Sequence, residues 1–185
     1  IVAGSAASAN IEGFVYAGMN AFHQAAISFV GQNYGAGQCG RVDRVARQCT
    51  IFAVLFGLVL GNLVYLFGAP LAGIYAPGEP DVVEQALVRL LYIGCPYFIC
   101  GIMEGLVGGL RGLGSSVIPM VTSIVGSCVL RLVWVDAIFP LYRTPACLYL
   151  SYPVTWSVTA LFHLLFLMLV VRRRAFDKVK GDVPA

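Results

Sequence analysis

The stretch LYLSYPVTWSVTALFHLLFLMLVVRRR, Leu148 to Arg174, carries no Asp, Glu, Lys or Arg up to Val171 and then three arginines in succession. A hydrocarbon core about 30 Å thick takes roughly 20 apolar residues of helix to cross, and this run supplies them. It is too long for a strand and its apolar residues do not alternate, so it reads as α-helix. Tyr142, Tyr149, Tyr152 and Trp156 cluster at its start, where an amphipathic ring places its polar edge in headgroups and its body in lipid. Pro153 is expected in the first turn, where a missing N–H costs little.

Working outward, four earlier runs have the same character. The expected spans are approximately 9–34, 49–74, 83–110, 117–139 and 148–171, followed by a tail at 172–185. Turn-forming residues separate them: Gly35 to Gly40, Ala76 to Pro80, Gly112 to Ser115, and Pro140 to Pro145. The composition agrees. Of 185 residues, 59% are apolar and 11% charged, and the mean hydropathy is +0.83. A soluble domain carries about 25% charged residues. Nine acids and twelve bases cannot make a polar skin for a domain of this size. The expected fold class is an all-α integral membrane protein, a polytopic bundle of five transmembrane helices.

Charge placement sets the orientation. Arg41, Arg44 and Arg47 follow the first span, Arg111 ends the third, and Arg172, Arg173, Arg174, Lys178 and Lys180 follow the fifth. These places fall on one side of the membrane. The other side carries Glu79, Asp81 and Glu84, with Arg89 and Arg143 as its bases. Basic loops stay cytoplasmic, which puts the carboxyl terminus inside. The chain opens at Ile1 without an initiator methionine or a basic leader, as expected of a piece of a longer protein.

Several function classes lose support. Six cysteines without a CxxC pair and two histidines do not make a zinc site, so no metal site or resident cofactor is expected. Gly35, Gly37 and Gly40 spell GxGxxG, but the dinucleotide reading needs a preceding strand and a βαβ unit; here a membrane helix precedes. Arg41, Arg44 and Arg47 make too small a basic surface for nucleic acid and suit anionic headgroups. No triad, carboxylate pair or Walker motif is present, so no catalytic residues are assigned and the protein is not expected to be an enzyme.

Polar residues inside spans each need a reason. Glu104 lies in the third span on the face of Gly101, Gly105 and Gly108. A carboxyl there can carry a proton or hold a sodium ion; the competing reading pairs it with a base on a neighbouring helix. Tyr16, Asn20 and Gln24 recur one turn apart in the first span, as the lining of a cavity or as interhelical hydrogen-bonding groups. His23 and His163 read as packing residues, and Glu12 as a wet residue near the outer end. Arg131 and Asp136, five apart in the fourth span, are candidates for a structural ion pair between helices, with an anion-attracting cavity as the alternative for Arg131. Pro96 interrupts the third span and is a hinge candidate. Gly57 with Gly61, and Gly101 with Gly105 and Gly109, are small-residue strips on which helices approach closely.

Four segments carry a resemblance. FVGQNYGAGQCGRVDRVAR (Phe29–Arg47) resembles the end of the eighth helix of multidrug and toxic compound extrusion (MATE) transporters, and GGLRGLGSSVIPM (Gly108–Met120) resembles the connection between their tenth and eleventh helices. VLRLVWVDAIFPLY (Val129–Tyr142) and LYLSYPVTW (Leu148–Trp156) resemble the two following helices of a bacterial branch. The resemblance implies twelve helices in two lobes, of which this chain forms the eighth to twelfth, in the carboxyl-terminal lobe. It implies export of organic, often cationic compounds by antiport against sodium or protons from a bacterial inner membrane. The implied partners are the lipid bilayer, small organic cations and the missing amino-terminal lobe; the implied coupling ion is a transported Na+ or H+. Glu104 matches the acidic position of the tenth helix, with Tyr16 and Asn20 on the eighth. The alternatives are a lipid-linked oligosaccharide flippase of the same superfamily and a non-transporting membrane subunit.

Overall fold

The computed structural model describes the backbone of residues 2–181 and the side chains of residues 2–171. The order is α1 (Val2–Gly35), α2 (Cys39–Leu66), α3 (Gly68–Tyr75), α4 (Pro80–Arg89), a π-helical segment Leu90–Gly94, α5 (Tyr97–Gly112), α6 (Val117–Ser123), a second π-helical segment Ile124–Val129, α7 (Leu130–Ala137) and α8 (Pro145–Gly181). Glycines with positive φ turn the chain at Gly37, Gly78 and Gly114, each within a segment whose sequence signals a turn. The chain is an all-α membrane protein.

Among the described residues, Cys39–Leu66, Val117–Ala137 and Pro145–Val171 are each long and apolar enough to cross a membrane. Pro80–Gly94 and Tyr97–Gly112 make a fourth crossing if the pair, bent by 44°, counts as one. The expected first span differs. Helix α1 is 34 residues long, yet it falls outside this set because Glu12, Asn20, His23 and Gln24 interrupt its apolar character. The second span also differs: the helix breaks at Phe67, before Pro70, whose ring excludes the carbonyl four residues earlier. Pro153 lies inside α8, which starts at Pro145. Arg172 to Lys180, on which the tail's orientation rests, have side chains outside the described residues.

Helix α5 is the centre of the bundle and packs on α1, α2 and α8. Its glycines explain this position. A Cβ on Gly101 would lie 2.7 Å from the Ala53 carbonyl oxygen, and one on Gly105 2.7 Å from Thr50 Cα, both on α2. A Cβ on Gly108 would lie 2.9 Å from the His23 carbonyl oxygen of α1. Without a hydrophobic drive between helices in lipid, such close van der Waals packing is what holds them together. The main core joins Val15, Met19, Tyr97, Met103, Tyr149 and Trp156. The outward faces of α2, α7 and α8 show Phe52, Leu55, Val59, Leu132, Val133, Leu161, Phe162 and Leu165, the surface that lipid requires.

Candidate functional site

The close approach at Gly108 brings α1 and α5 near enough for side chains to meet. His23 Nδ1 lies 2.9 Å from the Glu104 carbonyl oxygen and 3.1 Å from Glu104 Oε2. A carbonyl oxygen only accepts, so Nδ1 carries the proton and shares it with the carboxylate. The Tyr16 hydroxyl donates to Glu104 Oε1 at 3.3 Å. Both carboxylate oxygens therefore have a donor from α1. The His23 side chain is 4% exposed and that of Glu104 13%, which leaves the carboxylate a narrow opening. Its remaining lone pairs can take a proton or a small cation.

The structure brings Tyr16 and Glu104 together and adds His23 to them. Asn20 and Gln24 stand apart. At 100° per residue, they lie on the open face of α1, with Asn10, Gly13, Ala17 and Ser28. Gln24 is exposed and Asn20 partly so. A cavity of about 430 Å³ between α2, α5 and α8, lined by Asp43, Arg47, Thr50, Leu106, Leu164 and Leu167, touches none of these residues.

A second charged contact was not expected. Arg89 donates from Nε to Glu12 Oε1 and from a terminal nitrogen to Glu12 Oε2, each at 3.0 Å. The guanidinium lies 5.8 Å from the ring centroids of Tyr149 and Tyr152. Glu12 is thus buried and paired, not wet, and Arg89 is no loop base: it ends α4 inside the bundle. The sequence held one signal for both contacts. Glu12 and His23 are eleven residues apart, three helical turns within about 20° of one face.

Among the described residues, neither Arg131 nor Asp136 forms the expected ion pair with a neighbouring helix. Arg89–Glu12 is an ion pair among these residues, and His23–Glu104 is one only when His23 is protonated. Arg131 donates to Thr155 Oγ1 at 3.3 Å and stacks 3.8 Å over the Tyr152 ring, while its buried Nε has no partner. Asp136 is exposed; five residues on, it lies about 140° around the helix. Pro96 stands at the bend, after a π-helical segment in which Cys95 N–H reaches back to Leu90 at 3.1 Å. His163 is fully buried and 3.5 Å from Ser123 Oγ.

The MatE family model matches residues 1–135. The chain is also similar to a probable multidrug resistance protein NorM of Thermotoga maritima, with 28% identity over 130 residues. The match covers 70% of this chain and 28% of that protein, so the chain spans less than a third of the length of this relative. A family match over nearly three quarters of the chain, on a bundle of apolar helices with a half-buried carboxylate at its centre, places the chain in the MatE family of multidrug and toxic compound extrusion transporters.

Proposed function

We propose that the chain is most of the carboxyl-terminal lobe of a secondary active exporter, one that moves organic, often cationic compounds out of a bacterial cell by antiport against Na+ or H+. The Tyr16–His23–Glu104 cluster carries this reading. A carboxylate held between two helices, with a partly open side, can exchange the His23 N–H for an incoming cation. Losing that contact changes what holds α1 to α5 and biases the equilibrium between two packings of the lobe. Asn20 and Gln24 line the water-facing side of α1. The lobe sits in the inner membrane with Arg41, Arg44, Arg47 and the carboxyl terminus in the cytoplasm, and α1 crosses as a fifth span inside the bundle. An amino-terminal lobe completes the cavity.

Dye efflux tests this. The full-length protein is expressed in cells lacking their own pumps, and ethidium fluorescence is followed with and without a sodium gradient. Wild type is expected to extrude dye and Glu104→Gln to fail, with the sodium dependence naming the ion. Equal efflux by both moves the coupling site away from Glu104. No efflux by well-expressed wild type removes the drug-export reading and favours a lipid-linked cargo.

A further inference from the structure

The bent span is fastened to α1 twice, once on each side of its bend. The arm Pro80–Arg89 is held by the bidentate Arg89–Glu12 pair, whose side chains are 14% and 8% exposed. Tyr149 and Tyr152 of α8 flank the same guanidinium. Ser8 Oγ adds a 2.8 Å hydrogen bond to the Ala86 carbonyl oxygen. The arm Tyr97–Gly112 is held through Glu104, by a single shared N–H and a longer hydroxyl contact. Between the two arms lie the π-helical turn Leu90–Gly94 and Pro96, where the regular helical bonds are interrupted.

The two fastenings differ in kind. The guanidinium of Arg89 gives each oxygen of Glu12 a charged donor at 3.0 Å, and no ion can replace it without unpairing a buried charge. The carboxylate of Glu104 is held by a hydroxyl at 3.3 Å and by an N–H that His23 also gives to a carbonyl oxygen, and its side chain is 13% exposed. We propose that Glu12 and Arg89 are positioning residues that pin the first arm to α1 and α8, so that an event at Glu104 moves the second arm alone, with α2 carried along through Gly101 and Gly105. This rests on the reading of Glu104 as the coupling carboxylate.

Hydrogen exchange read by mass spectrometry, on the full-length protein in lipid nanodiscs, tests the pin. In wild type, sodium or acid is expected to change exchange in Tyr97–Gly112 and to leave Pro80–Arg89 unchanged. Glu12→Gln should speed basal exchange of Pro80–Arg89 by about tenfold or more, because Arg89 is left buried without its partner. The double variant Glu12→Leu, Arg89→Met keeps the site filled with apolar atoms, and its melting temperature should stay close to wild type. In that variant the first arm should nevertheless begin to respond to the cation. A merely structural pair would not produce this response. The pin is wrong if the first arm already responds in wild type, or stays unresponsive in the double variant. A wild type in which both arms ignore the cation removes the coupling reading instead, and with it the motion that the pin confines.

Discussion

Adding one methyl group at Gly105 should unseat α2 from α5, and adding one at Gly109 should not. A Cβ at Gly105 would meet Thr50 at three atoms: Oγ1 at 2.5 Å, Cα at 2.7 Å and Cβ at 2.8 Å. At Gly101 it would meet the Ala53 carbonyl oxygen at 2.7 Å and its carbon at 2.9 Å. Ordinary contact begins near 3.4 Å, so the helices must part by about 0.7 Å at Gly101, where the obstacle is backbone and no rotamer change relieves it. At Gly109 the nearest atom, Ala46 Cβ, is already 3.6 Å away. Over-packing of this kind costs about 1–3 kcal/mol, and an exposed or uncrowded methyl less than about 0.5 kcal/mol. The assay is thermal unfolding of the purified full-length protein by fluorescence-detected gel filtration, with Gly101→Ala, Gly105→Ala and Gly109→Ala side by side. The expected order is a clear loss for the first two and no change for the third. Equal melting temperatures for Gly105→Ala and Gly109→Ala would refute the close-packed face as the reason α5 is central.

The separation of Arg131 from Asp136 gives a double-mutant cycle. Arg131→Met and Asp136→Asn should couple by less than about 0.5 kcal/mol in thermal unfolding, as for groups with no shared partner; coupling above about 1 kcal/mol would restore the ion pair. Pro96→Ala returns an N–H to the bent span, and interior proline costs a helix about 3 kcal/mol. The variant should melt higher while dye export slows several-fold. Export at the wild-type rate with a raised melting temperature would remove the bend from the transport cycle.

The apolar spans and their turns were legible because lipid imposes one rule on every outward residue. Runs such as Leu148–Val171 need no partner to be read. Boundaries failed where local chemistry, not hydropathy, decides: Pro70 breaks the second span, and Pro153 is absorbed within α8. The site was half legible. Glu104 and Tyr16 stand out as polar groups in an apolar field, but their partner His23 looks like any packing residue until Gly108 shows how closely α1 comes. Arg89 was legible only as a charge. It follows the acidic residues Glu79, Asp81 and Glu84 in sequence and so counts as a loop charge, although α4 carries it about two and a half turns inward to Glu12.

Helix α1 is the exception to the rule that lipid imposes, and the exception is informative. The outward faces of α2, α7 and α8 are mostly Leu, Val, Ile and Phe, with Asn62 and Asp136 among them. The open face of α1 carries Asn10, Gly13, Ala17, Asn20, Ala21, Gln24 and Ser28, with the exposed Phe14 at its edge, and a Cβ at Gly13 would meet nothing within 4 Å. Amides on a membrane helix find no hydrogen-bond partners in hydrocarbon, and each unsatisfied group there costs several kcal/mol. This face therefore meets water or protein. The long helix that falls outside the apolar spans is also the one that contributes Glu12, Tyr16 and His23 to the contacts with Arg89 and Glu104. One helix thus turns one side to water or protein and the other to Glu104 and Arg89 of the bent span, and on the proposed reading it is the helix that links the two.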